Sequence, residues 1–92
     1  MNSLVLKTEP IAQKVTCDNE ELKVYLYDGR IIAVPIVWFP RLMNATQEQR
    51  NNYQLLGIGE GIYWEDIDED ISVRGLLAGN PSIELNHIHK IA

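Results

Sequence analysis

The sequence predicts a small α+β domain: a small antiparallel β-sheet with a hairpin at residues 22–35, packed by one or two short helices. Three observations lead there. Leu22, Val24 and Leu26 alternate with Lys23, Tyr25 and Tyr27, the two-residue period of a strand with one wet face. Asp28-Gly29 then precedes a second β-rich run, Ile31 to Val37, and that dipeptide supplies the positive φ angles of a tight hairpin turn. Further on, Thr46 is followed three residues later by Gln49, a capping box in which each side chain satisfies an orphaned backbone donor at a helix start.

In chain order, residues 1–12, MNSLVLKTEPIA, show no sustained period and read as an N-terminal arm or edge strand. Strands are expected near 14–18, 22–27 and 30–35, with Pro35 at a strand end or on an edge because it has no amide to donate. A short helical turn over Pro40–Met43 starts on a proline, whose fixed φ suits a first helical position. The capped helix is expected from Gln47 to about Leu55, with Tyr53, Leu56 and either Ala45 or Met43 as its apolar anchors, stopping at Gly57. A glycine-punctuated turn then leads to a strand near 62–68. Ser72 caps a last helix, Val73–Ala78, closed by Gly79 and Pro81. The domain proper is thus 13–80, and 81–92 is a C-terminal tail whose weak alternation fits either a frayed end or pairing with a neighbouring chain.

Ninety-two residues, 46% hydrophobic and 23% charged, describe one ordinary globular domain with a modest core. A formal net charge of -5 with only eight scattered Lys and Arg residues opposes phosphate binding by the monomer, because backbone contacts to nucleic acid need clustered cations. A single cysteine excludes an internal disulfide, and the N-terminus has no charged segment followed by an apolar one, so the cytoplasm is the expected compartment. No apolar run approaches the ~20 residues of a membrane span.

The residues able to do chemistry form no coherent set. Asp66, Asp68 and Asp70 have the opening spacing of a calcium loop, but Ile71 stands where the sharp turn needs glycine and Leu77 where a bidentate carboxylate belongs. Gly57-Ile58-Gly59-Glu60-Gly61 is glycine-rich, yet it follows a helix and precedes a strand, the reverse of a phosphate loop, and carries an acid. Cys17 sits beside Asp18 and Glu20, whose charges disfavour a thiolate. His87 and His89 would need a third ligand from elsewhere to hold a transition metal. No catalytic, cofactor or metal residue is therefore assigned.

The segment from Asp28 to Gly79 carries a resemblance. Its DGRIIAVPIVWFPRL, its Thr46-x-x-x-Arg50-x-x-Tyr53 and its GEGIYWEDIDEDISVRGLLAG are similar to the motifs of the small bacterial family of domain of unknown function 2442. The resemblance covers about residues 14–79 and implies a small α+β fold without an established activity. It also implies, for some relatives, a gene arrangement beside another small protein, reminiscent of toxin–antitoxin pairs.

Trp38, Phe39, Pro40, Arg41 and Trp64 remain. Trp64 is expected in the core. Trp38, held at a bend by the proline that follows Phe39, divides evenly between core and surface. Arg41 is expected to pair with the acidic run at 65–70. The expected function is a non-enzymatic protein-interaction module, an antitoxin-like or regulatory partner of a small basic protein, with Trp38, Phe39, Arg41, Asp68, Glu69 and Asp70 as the contact set. The alternatives are a DNA-contacting regulator, whose oligomer would build a basic face from Lys23, Arg30, Arg41 and Arg50, and an enzyme with an unrecognised site. Homo-oligomer formation is compatible with all three.

Overall fold

The computed structural model describes residues 9–82; the predicted tail histidines, His87 and His89, lie outside that range. Strands β1 (Ala12–Cys17), β2 (Glu21–Leu26) and β3 (Ile31–Pro35) form one antiparallel sheet in the order β1-β2-β3. The alternation read in the sequence is the burial pattern of β2: Leu22, Val24 and Leu26 are buried and the residues between them half-buried. The hairpin register pairs Leu22 with Val34 and Val24 with Ile32, so both strands turn the same apolar row inward. Gly29, at φ 96°, makes the turn, and Asp28 Oδ1 accepts from the Arg30 amide at 3.0 Å.

After a 3-10 helical turn over Ile36–Trp38, helix α1 (Pro40–Met43) starts on its proline as expected. Helix α2 (Gln47–Asn51) carries the complete capping box of Thr46 and Gln49 but stops short of the expected Leu55. Residues Gln54–Leu56 instead form β4. Two side chains draw the backbone out of the helix: the Tyr53 hydroxyl accepts the Val15 amide of β1 at 3.1 Å, and Asn52 Nδ2 donates to Asp66 at 3.1 Å. Extension then lets Leu55 face Ile62. Gly57, at φ 61°, turns the chain from β4 into the strand that follows and does not cap a helix.

The strand expected at 62–68 ends at Trp64, and a second strand that was not expected follows at Glu69. Strand β5 (Gly61–Trp64) gives way to a 3-10 turn over Glu65–Ile67, Asp68 takes a left-handed conformation at φ 52°, and β6 (Glu69–Ser72) returns with Glu69 opposite Trp64. Aspartate tolerates that conformation better than most residues. A second antiparallel sheet, β4-β5-β6, results. Helix α3 (Val73–Leu77) begins where predicted, with Ser72 Oγ accepting from the Gly75 amide at 3.0 Å.

The sheets share one core. Val15, Cys17, Leu22, Val24 and Val34 on the first meet Ile62, Trp64, Ile71, Val73 and Leu76 on and after the second. A backbone stitch fixes their approach: the Ala12 amide donates to Gly59 O at 2.7 Å. No helix among the described residues is long and apolar enough to cross a membrane.

Candidate functional site

The acidic segment and the Trp-Phe-Pro-Arg segment are 27 positions apart at Arg41 and Asp68, and the fold brings them together. Arg41 Nη1 donates to the Asp68 backbone carbonyl at 2.5 Å and lies 3.8 Å from its carboxylate. The guanidinium thus holds the turn through the main chain as well as through the carboxylate partner that the sequence led one to expect. A left-handed residue exposes its carbonyl, and a cation there stabilises the bend directly.

Around this contact lies a cleft of about 610 Å³ lined by Phe39, Arg41, Asp68, Glu69 and Asp70 together with Ile71, Leu76 and residues 80–82. Five of the six residues assigned to contact from the sequence therefore share one concavity. Their exposures differ from the expected surface patch. Phe39, the residue just before α1, is 3% exposed and packed in the core, and so it serves as an apolar wall and not as a projecting ring. Glu69 is 8% exposed, since β6 pairs it with Trp64 across the sheet. Arg41, Asp68 and Asp70 are exposed. Trp38 is half-buried against the core and does not line the cleft; its carbonyl accepts the Ser82 amide at 3.1 Å, which places the 80–82 wall. Leu76 and Ser82 were not assigned to the site from the sequence, although the correctly placed Ser72 cap already fixed which residues α3 contains.

The described residues of the cleft offer carboxylates and an apolar wall. Nearby, the Tyr63 hydroxyl lies 3.5 Å from Asp68 Oδ1, and partial desolvation, then the negative charge of Asp68, holds its pKa above the usual 10.0. Such a phenol is neutral at physiological pH and not a nucleophile. Cys17 is buried, and burial pushes its thiol up to about 11. Among the described residues no group of three or more His, Cys, Asp or Glu side chains is placed to hold a metal ion, and no buried side-chain polar atom lacks a hydrogen-bond partner.

The four cations of the expected DNA face have other uses. Arg50 is 6% exposed, donating to Leu42 O at 2.9 Å, Met43 O at 2.8 Å and Asn19 Oδ1 at 2.7 Å. It closes the carbonyl end of α1 from inside the protein and cannot reach a ligand. Lys23 lies 3.4 Å from Glu21, Arg30 2.8 Å from Asp28, and Arg41 is on Asp68. The Thr46, Arg50, Tyr53 spacing noted in the sequence is accordingly structural at every position: a cap, a buried clamp and a tether to β1.

Fold and cleft together define a small α+β module of two three-stranded sheets with an acidic, partly apolar concavity. The family model described as protein of unknown function (DUF2442) matches residues 12–82, and the chain belongs to this family. A crystal structure of a protein of unknown function from Rhodospirillum rubrum is 32% identical, with a TM-score of 0.72 over 85% of this chain and 96% of that one. A solution NMR structure of an uncharacterised protein from Chromobacterium violaceum shares the fold at 22% identity, with a TM-score of 0.74 over 98% of this chain and 85% of that one. No curated protein matches the chain.

Proposed function

We propose that this domain is a protein-contact module, a regulatory partner of a small basic protein, and that the cleft between α1, β6 and α3 receives a Lys- or Arg-bearing segment of that partner. The observation that carries this reading is the convergence of Arg41, Asp68, Glu69 and Asp70 with Phe39, Ile71 and Leu76 around one concavity. Carboxylates at the rim attract a cationic segment, and the apolar wall takes up its aliphatic stems. Trp38, half-buried beside the 80–82 wall, supplies an aromatic anchor at the edge. The chain's charge of -5 speeds the encounter with a basic protein.

A titration of isotope-labelled protein with Lys/Arg-rich peptides, read by amide shifts, tests it. The shifts should centre on Asp68–Ser72 and Leu76. The double replacement of the exposed Asp68→Asn and Asp70→Asn should weaken binding roughly tenfold, and salt should slow association. Trp38→Ala should act mainly by faster dissociation. The same variants are then used to capture partners from the native host. Shifts centred elsewhere, or a partner set unchanged by both replacements, would rule the reading out.

A further inference from the structure

The first sheet is closed along one edge and open along the other. On the β1 edge, the Ala12 amide reaches Gly59 O at 2.7 Å, the Val15 amide reaches the Tyr53 hydroxyl at 3.1 Å, and Cys17 O accepts from Gln47 at 2.7 Å. Strand β3 is the other edge. Its outward groups follow from the register. The Leu26 amide donates to Arg30 O and the Ile36 amide to Glu20 O, both at 2.9 Å. In an antiparallel pair, successive residues alternate between facing the partner strand and facing away. Arg30, Ile32, Val34 and Ile36 therefore turn their backbone groups toward β2, and Ile31, Ala33 and Pro35 turn theirs outward. Among the described residues no hydrogen bond is recorded to those outward groups. Ile31 is 56% exposed, and Ala33 and Pro35 are exposed as well.

We propose that β3 is a self-association edge, on which two copies of this chain pair their β3 strands antiparallel about a twofold axis at Ala33, joining their three-stranded sheets into one of six strands. An open row of amides and carbonyls templates another strand unless charges, bulges or prolines blunt it. From Ile31 to Pro35 the row carries no charge, and Pro35 interrupts it only at the end.

Self-complementarity selects a second copy as the occupant. Centred on Ala33, the two Ala33 residues exchange two hydrogen bonds, and each Ile31 amide reaches the Pro35 carbonyl of the other copy, making four. The missing proline donor then falls at the ribbon's ends, where an Ile31 carbonyl can take water. Alanine on the axis lets the strands approach without a clash of side chains. Charge agrees with the antiparallel sense. Arg30, which also pairs with Asp28 at its own end, precedes β3, while the far end of β3 lies beside Glu21, the cross-strand neighbour of Pro35 that Lys23 approaches, and Glu20, which accepts the Ile36 amide. A twofold axis sets each Arg30 end near the Glu20–Glu21 end of the other copy. The edge is short, so the pair is weak and concentration-dependent. It leaves the cleft between α1, β6 and α3 untouched and stands independently of the function proposed for it.

Sedimentation velocity over a concentration series should show wild-type protein moving from monomer to dimer, while amide exchange at Ile31 and Ala33 slows as concentration rises. Ala33→Glu and Ala33→Lys each set like charges together on the axis and should raise the dimer dissociation constant at least about fivefold. Mixed in equal amounts, the two variants should form a heterodimer. Ala33 is exposed, so both keep the fold, checked by circular dichroism. Wild-type protein that stays monomeric with unchanged exchange at Ile31 and Ala33 overturns the proposal, as does association of each variant alone at wild-type strength.

Discussion

Trp64 donates its indole N–H to the carbonyl oxygen of Arg50 at 3.0 Å, joining the centre of the second sheet to the helix that carries the buried clamp. The ring is 0% exposed and tilted against Tyr53 at a centroid distance of 6.4 Å. Its removal deletes the largest fully buried side chain of the core. Trp64→Ala should therefore cost about 3–5 kcal/mol in a urea titration. A loss below about 1 kcal/mol would show that the ring contributes little to the packing.

Arg50 provides the second test. All its recorded acceptors are neutral oxygens, on Leu42, Met43, Asn19 and Gln47. Arg50→Ala takes the guanidinium donor from Met43 O and leaves Leu42 O with the Ala45 amide at 3.2 Å, and should destabilise by about 2–4 kcal/mol. Arg50→Lys should recover only part of that, because a single ammonium cannot reproduce a planar fork reaching several acceptors. Full recovery by lysine would show that charge alone, and not the geometry of the fork, is what the site uses.

Arg41 holds Asp68 through its carbonyl, so its loss should act locally. In Arg41→Ala, amide exchange across Glu65–Asp70 should accelerate while the amides of β1 and β2 keep their protection. Unchanged exchange in the turn would remove the clamp from the account of the cleft. Half-exposed as the ion pair is, the global stability should move little.

At Gly59 the backbone has φ 116°, and a Cβ would lie 2.5 Å from Ala12 O and 2.8 Å from Ile11 Cγ2. Those atoms belong to the stitch between the sheets, so they cannot retreat without breaking it. Gly59→Ala should cost about 2–4 kcal/mol. Gly29→Ala, where a Cβ meets nothing within 4 Å but φ is 96°, should cost less in the same thermal melt, since only backbone strain applies. Equal losses would mean that the close approach at Gly59 is unimportant.

Cys17 should be silent toward alkylating reagents. Burial pushes its pKa from the usual 9.0 up to about 11, leaving roughly one thiolate in a thousand at pH 8. Iodoacetamide should label the native protein far more slowly than the urea-unfolded protein, by mass spectrometry. The linkage has a definite sign: because the folded pKa is raised, this thiol's contribution to stability is intact below pH 9.0 and is lost as pH rises toward about 11. Cys17→Ala should flatten that part of the alkaline decline.

Local signals in the sequence were read correctly wherever one segment contained the whole reason. The β2 alternation, the Asp28-Gly29 turn, the Thr46–Gln49 box and the Ser72 cap each rest on groups within a few residues of one another. The errors share the opposite property. Helix α2 stops at Asn51 because Tyr53 finds an amide on β1, 38 positions earlier, and no feature of residues 47–56 records that partner. Trp64 and Glu69 face each other only after the Glu65–Asp68 turn folds, so a run of alternating residues looked like one strand. For the site, residue types pointed to five members of the cleft, but not to the burial of Phe39 and Glu69, nor to the contribution of Leu76 and Ser82.

By itself, the sequence determined the class of the fold, the first hairpin, the helix starts, and the absence of a recognisable catalytic motif, because turn chemistry, capping and strand period act over a handful of neighbouring residues. Only the tertiary structure decided that the described strands form two sheets, that Arg50 is a buried clamp and not a surface cation, that Arg41 grips a carbonyl of the acidic turn, and that β3 is an edge strand among the described residues. Each of those depends on which distant donor meets which distant acceptor once apolar faces have been removed from water, and that pairing is a property of the packed chain as a whole.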